Sequence, residues 1–208
     1  MSTGTAPAVK LAAIGDIAEV FPGFSTGTML RHDVDGTHQV IMSRHLTPGL
    51  PYRYSAMDDF RIDPGRDVRK YTLRAMDLLF MSRGTRNVAT WLESFPEPSI
   101  APVSFFIVRT TDHVDPRYLT WYLNQPRAQQ DIGEIRTGAG TPIVQRAAFE
   151  RLKLPVPDLA TQRTIADLGE LLVRERQLLD RLAAATAHQS DTLNERLARD
   201  LFARAQEE

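Results

Sequence analysis

Leu152-Lys153-Leu154-Pro155-Val156-Pro157 leads into a run from Gln162 to Phe202 that holds no proline and one glycine, Gly169. The two prolines lack an N–H and disfavour helix in the residue before them, so the lead-in reads as extended chain. Asp158 is placed to cap a helix, its carboxylate accepting from main-chain N–H groups left open at a first helical turn. Beyond it Ile165, Leu168, Leu172, Leu179, Leu182, Leu193, Leu197 and Leu201 recur at steps that suit one face of a helix. At about 1.5 Å per residue such a helix runs roughly 60 Å, longer than a compact domain of this size is wide. Part of its leucine seam therefore needs a partner outside its own globular domain. Glu175, Thr186 and Gln189 fall at or near inward positions, where polar residues cost stability but fix register and partner number.

The rest of the 208 residues is enough for one good core, and 42% hydrophobic with 25% charged residues is the balance of a soluble globular chain. There are no cysteines, which excludes disulfides and cysteine-based zinc or iron–sulfur sites. No apolar run approaches a membrane span, and Met1 to Lys10 lack the apolar centre of a signal peptide, so a cytoplasmic protein with a flexible leading segment is expected. A net charge of −1 does not advertise a nucleic-acid binder, but the distribution is uneven. Residues 1–155 hold 18 basic against 16 acidic residues, and residues 156–208 hold 7 against 10. The window 60–90 carries seven basic residues against three acids, a local positive patch able to engage phosphates.

Along the first 155 residues the pattern is mixed. Val9 to Val20 is apolar with helical spacing, a short helix or a strand followed by one, broken by Phe21-Pro22-Gly23-Phe24. Ser25 to Gly36 reads as an exposed loop, His38 to Arg44 as a strand, and residues 50–70 as loop with at most short elements. Asp77 to Met81 and Val88 to Trp91 read as a hairpin around the polar tip Ser82-Arg83-Gly84-Thr85-Arg86-Asn87. Pro96 to Pro102 is a connector, and Val103 to Val108 is the most strand-like run. Asp115-Pro116 is a helix start, and Pro126 ends or kinks that helix before it resumes to Ile135. A flexible turn over 138–142 and a short helix containing Ala147 and Ala148 complete the domain. The reading is α+β: a mixed globular domain over 1–155, then one long coiled-coil-type helix over 156–208.

Chemistry is hard to find in this chain. The five histidines show no metal-ligand spacing, and no dinucleotide loop, phosphate loop or nucleophile elbow is present. No enzyme activity, metal or cofactor is expected. The hairpin tip is the better candidate. A glycine between two arginines lets a ligand approach the main chain, arginine grips phosphate or pairs with guanine, and asparagine can read adenine. Arg69, Lys70, Arg74, Ser82, Arg83, Gly84, Thr85, Arg86 and Asn87 are the expected DNA contacts. An ordinary solvated tip is the plain alternative.

The order of segments resembles a known family. Leu11-Ala12-Ala13-Ile14-Gly15-Asp16-Ile17-Ala18-Glu19-Val20 precedes Phe21-Pro22-Gly23-Phe24. Asp77-Leu78-Leu79-Phe80 with Arg83-Gly84 comes next, then Pro116-Arg117-Tyr118-Leu119 and Gly140-Thr141-Pro142. Last are Leu154-Pro155-Val156-Pro157, Gln162 and Ile165. This arrangement resembles the DNA-specificity (S) subunit of type I restriction-modification systems: one target-recognition domain and one spacer helix. Asp158 and Thr161 stand where that family often has a second proline and an acid, and Met76 where a glycine often precedes the aspartate. The resemblance implies a non-catalytic, sequence-specific DNA-binding subunit. It would partner an adenine methyltransferase (M) subunit and, for cleavage, a restriction (R) subunit. Typical members carry two recognition domains and two antiparallel helices per chain. A half-subunit of this kind would form a homodimer through the seam from Ile165 to Leu201 and read an inverted repeat with an uncontacted spacer. The alternative is a protein–protein adaptor whose helix docks a partner and whose domain does not touch DNA.

Overall fold

In the computed structural model, residues 9–25, 30–138 and 140–205 are described. Val9 to Val20 resolves into three elements in succession: β1 (Lys10–Ala13), a single turn α1 (Ile14–Ile17) and β2 (Ala18–Pro22). The segment is thus both strand and helix, with strand on either side of one helical turn. The strand expected over 38–44 is shorter, β3 (His38–Val40), and passes into a 3-10 turn at Ser43–His45. Residues 50–70 hold only β4 (Tyr52–Arg53), β5 (Arg61–Ile62) and the start of a 3-10 turn at Arg69–Tyr71, besides one at Ala56–Asp58.

The hairpin is β6 (Leu78–Met81) and β7 (Ala89–Ser94), antiparallel with Leu78 opposite Trp91. The connector between the prolines hides a two-residue strand, β8 (Ser99–Ile100), and β9 (Phe105–Thr110) comes after it. A five-stranded sheet has the order β2-β9-β6-β7-β4, and β5-β3-β8 forms a three-stranded one. Phe105, Phe106, Ile107 and Val108 are all buried, so the interior strand β9 is covered on both faces, as a continuous apolar run requires. On one face Phe80, Phe106 and Phe149 stack, with Phe80 and Phe149 centroids 4.4 Å apart. The other face holds Leu79, Leu92, Phe105 and Ile107.

Asp115 caps α2 (Pro116–Leu123) by accepting from Arg117 N at 2.8 Å, and α3 (Pro126–Glu134) starts at the proline. β10 (Arg136–Thr137) and β11 (Ile143–Val144) form a small hairpin, and α4 (Arg146–Glu150) carries Phe149 into the core. The proline lead-in is a strand, β12 (Lys153–Val156), antiparallel to β1. The long helix α5 spans Leu159–Ala205, 47 residues. Asp158 accepts from Thr161 N at 3.0 Å and from its hydroxyl at 2.7 Å, bonds that hold its carboxyl below the usual range.

The compact globular unit runs to Glu170, and Leu171–Glu208 forms a second unit. The first turns of α5 therefore belong to the globular unit, fifteen residues past the 155/156 boundary read from the sequence. Within it Gln162, Ala166 and Gly169 are buried, and Ile165 packs on the main core. Gln162 is fully enclosed and fully bonded. Its Oε1 accepts from Asp115 N at 2.8 Å, and its Nε2 donates to Pro157 O at 2.8 Å and His113 O at 3.1 Å. Gly169 permits a close approach: a Cβ there would lie 2.3 Å from Trp121 Cδ1. Among the described residues no helix is long and apolar enough to cross a membrane.

Ile165, the first residue expected in the seam, is thus partly buried against the core, and at 100° per residue it lies about 20° around the helix from Leu172. At 100° per residue, Leu168 lies about 120° around the helix from Gln162, on a different face. Leu168, Leu172, Leu179, Leu182, Leu193 and Leu197 are each more than half exposed, as are Leu171 and Leu178 beside them. The side chain of Leu201 lies outside the described residues.

Candidate nucleic-acid interface

The turn leaving β6 is held from inside. Ser82 is 2% exposed, and both its N–H and its hydroxyl donate to Ser104 O, at 2.8 and 3.0 Å. Asn87 is 1% exposed, and its Nδ2 donates to Met81 O at 2.8 Å while its own carbonyl accepts from Gln129 Nε2 at 2.8 Å. These two residues close the turn on itself. Both were expected as DNA contacts; in the structure they are buried, and the Ser82 hydroxyl and Asn87 Nδ2 donate to main-chain carbonyls. Between them Arg83, Thr85 and Arg86 are exposed, and Gly84 adopts φ +101°, a left-handed conformation that glycine enters without a Cβ clash.

A second element is stitched to this turn. Val144 N donates to Ser82 O and Gly84 N to Pro142 O, both at 2.8 Å, and Arg83 bridges to Ile143. The β10–β11 hairpin thereby extends the turn as an antiparallel ladder. Arg136 Nη1 donates to Thr85 O at 3.0 Å, bringing a third guanidinium to the same place. Sequence reasoning missed Arg136 and the hairpin. The only signal was an arginine just ahead of the glycine-rich turn, and its proximity to residue 85 is a long-range fact.

Arg69, Lys70 and Arg74 come before β6 in the chain, whereas Ser82 to Asn87 follow it. Arg69 is engaged with Asp67 at 2.7 Å, and that bond holds the Asp67 carboxyl down at about 2. Lys70 lies over the Tyr71 ring at 4.9 Å. Arg74 is exposed, and its N–H donates to Asp77 at 2.9 Å. Asp77 is 1% exposed and locked to Arg109 by two bonds of 2.7 and 2.8 Å, which raise the arginine's affinity for its proton. It is a structural carboxylate.

Taken with the sheet order and the long C-terminal helix, this is the fold of a type I restriction-modification S subunit: one mixed α+β domain followed by one long helix. Three solved structures carry the likeness. A chain from a type I restriction-modification assembly, studied for complex assembly and conformational transition, matches with a TM-score of 0.65 at 14% identity. The S subunit from M. genitalium matches at 0.55 and 11%, and the HsdS subunit from Thermoanaerobacter tengcongensis at 0.61 and 15%. The matches cover 86–88% of this chain but only 41–43% of those chains, so this chain spans less than half their length. No protein-family model matches the sequence, and no curated protein does.

Proposed function

We propose that this protein is a DNA-specificity subunit of the type I restriction-modification kind, with no catalysis of its own. Two copies would pair through α5 to read a bipartite inverted repeat. The observation that carries the reading is the match of nearly all of this chain to less than half of each S subunit. The open leucine face of α5 supports it, because each leucine buried in a partner's face contributes about 1.5–3 kcal/mol. Its partners would be double-stranded DNA, an adenine methyltransferase subunit and a restriction subunit. The methyltransferase would modify the site this subunit selects, and the restriction subunit would supply cleavage. A cytoplasmic location fits those partners.

Arg83 and Arg86 are the primary contacts in this proposal, with Gly84 and Thr85 shaping the approach; Arg69, Lys70 and Arg74 form a separate basic stretch that would meet a different part of the duplex. Arg83→Ala and Arg86→Ala, made separately, test the assignment in a fluorescence-anisotropy titration. A base reader loses about 1–3 kcal/mol of discrimination at one position. A phosphate contact weakens all sequences alike and lowers the salt slope by about 0.9. If neither substitution changes duplex binding, the turn is not the interface. If the wild type ignores duplex at low salt, the adaptor reading, favoured by the excess acid of residues 156–208, takes its place.

A further inference from the structure

The tip of the β10–β11 hairpin carries two glycines, and the fold needs only one of them. Gly138 sits at φ +99°, where a side chain would be strained. Gly140 lies outside the left-handed region, and a Cβ built on it would meet no heavy atom within 4 Å. It is exposed, as is Thr141 beside it. Neither backbone conformation nor packing within the chain calls for glycine at 140. A glycine without an internal reason, on ground free of side chains, leaves room for something external to come close to the main chain.

The surroundings say what that is. Arg83 and Arg86 are exposed and Arg136 partly so, and among the described residues none of the three closes an ion pair. Arg69, Arg109 and Arg117, by contrast, are each tied to an aspartate. Thr137, Ile143 and Arg83 form one row across three neighbouring chains, which places Thr137 and Arg83 on one face about 10 Å apart. Positive charge without a counter-charge, the exposed Thr141 and bare main chain together suit an anion on a polymer backbone.

We infer that the β10–β11 hairpin is a second DNA-contact element, its Gly140–Thr141 tip lying against a backbone phosphate of the duplex that Arg83 and Arg86 engage. This rests on the DNA-binding reading above and adds to it an element that reading did not include. Arg136 is a positioning residue: its bond to Thr85 O fixes the tip relative to the turn, so both meet one duplex in one register.

The test uses the full chain with Gly140→Ala and Gly140→Val, a labelled random-sequence duplex and low salt. Thermal melting of Gly140→Ala is expected at or slightly above the wild-type temperature, since the substitution only narrows the unfolded chain. Duplex affinity is expected to fall by about tenfold in Gly140→Val and by less in Gly140→Ala, the scale of one lost bond to a charged group. Arg136→Lys, which keeps the charge but not the fork, is expected to lower affinity with the salt slope unchanged. Wild-type affinity in both Gly140 variants, with Arg83→Ala and Arg86→Ala still weakened, overturns the hairpin inference and leaves the DNA reading standing. A wild type that does not bind duplex overturns both.

Discussion

Met76 shows how one residue can record a constraint that its own chemistry does not meet. Its φ of +68° is left-handed, the region that costs a side-chain-bearing residue about 1–2 kcal/mol. The conformation is imposed by its neighbours: Met76 N donates to Leu92 O and Asp77 N to Arg74 O, which turns the chain so that Asp77 can meet Arg109. Met76→Gly should therefore raise stability by about 0.5–1 kcal/mol, the relief of strain exceeding the added freedom of the unfolded chain. A urea melt of the two proteins measures it, and an unchanged or lower midpoint would show that the turn is not strained. The sequence marks this position, where the resembled family often has glycine, but not its φ. At Ser82 and Asn87 the residue types suggest ligands, and the structure turns them inward. Their partners, Ser104 and Gln129, lie 22 and 42 residues away, beyond what local pattern can show.

Among the elements, the lead-in and the first turns of α5 are the most legible, because proline, cap and periodicity all act locally. Gln162, Ala166 and Gly169 are buried within the globular unit, whereas the leucines from Leu168 to Leu197 are each more than half exposed. Periodicity identifies an apolar face but not which body it meets: Ile165 lies only about 20° around the helix from Leu172, yet it packs on the globular core. The two-residue strand β8 escapes pattern reading because its hydrogen-bonding partners are distant β3 residues. The join of β12 to α2 is held by Tyr118, 2% exposed, whose hydroxyl donates to Pro155 O at 2.6 Å. Burial pushes that hydroxyl up to about 12 from an ordinary value near 10. The neutral phenol is thus favoured in the folded state. Its contribution is whole below the unfolded value and is lost as pH rises from there through the folded value. Tyr118→Phe should cost about 1 kcal/mol at neutral pH and flatten the fall in stability between pH values of about 10 and 12. Parallel alkaline limbs in the two proteins would contradict that.

At the scale of the whole molecule, charge and length carry the account. A near-neutral chain gathers arginines without an ion pair among the described residues at the turn of one hairpin and on a strand of another. A helix of 47 residues offers leucines that no described residue covers more than halfway. Solved S subunits more than twice as long contain this fold as a part. Each fact has a plain reason if two such chains act together on one duplex. Local pattern indicates the mixed fold and charge distribution the basic window, whereas the β10–β11 hairpin of the candidate interface required the folded chain. The account is tested most directly by recovering bound duplexes from a randomised pool with the wild type and with Leu182→Lys, and aligning the sequences. It predicts that the wild type enriches two short half-sites in inverted orientation at one fixed separation, and that Leu182→Lys retains only a single half-site. Enrichment of one uninterrupted site by both proteins, or of no sequence by either, would contradict it.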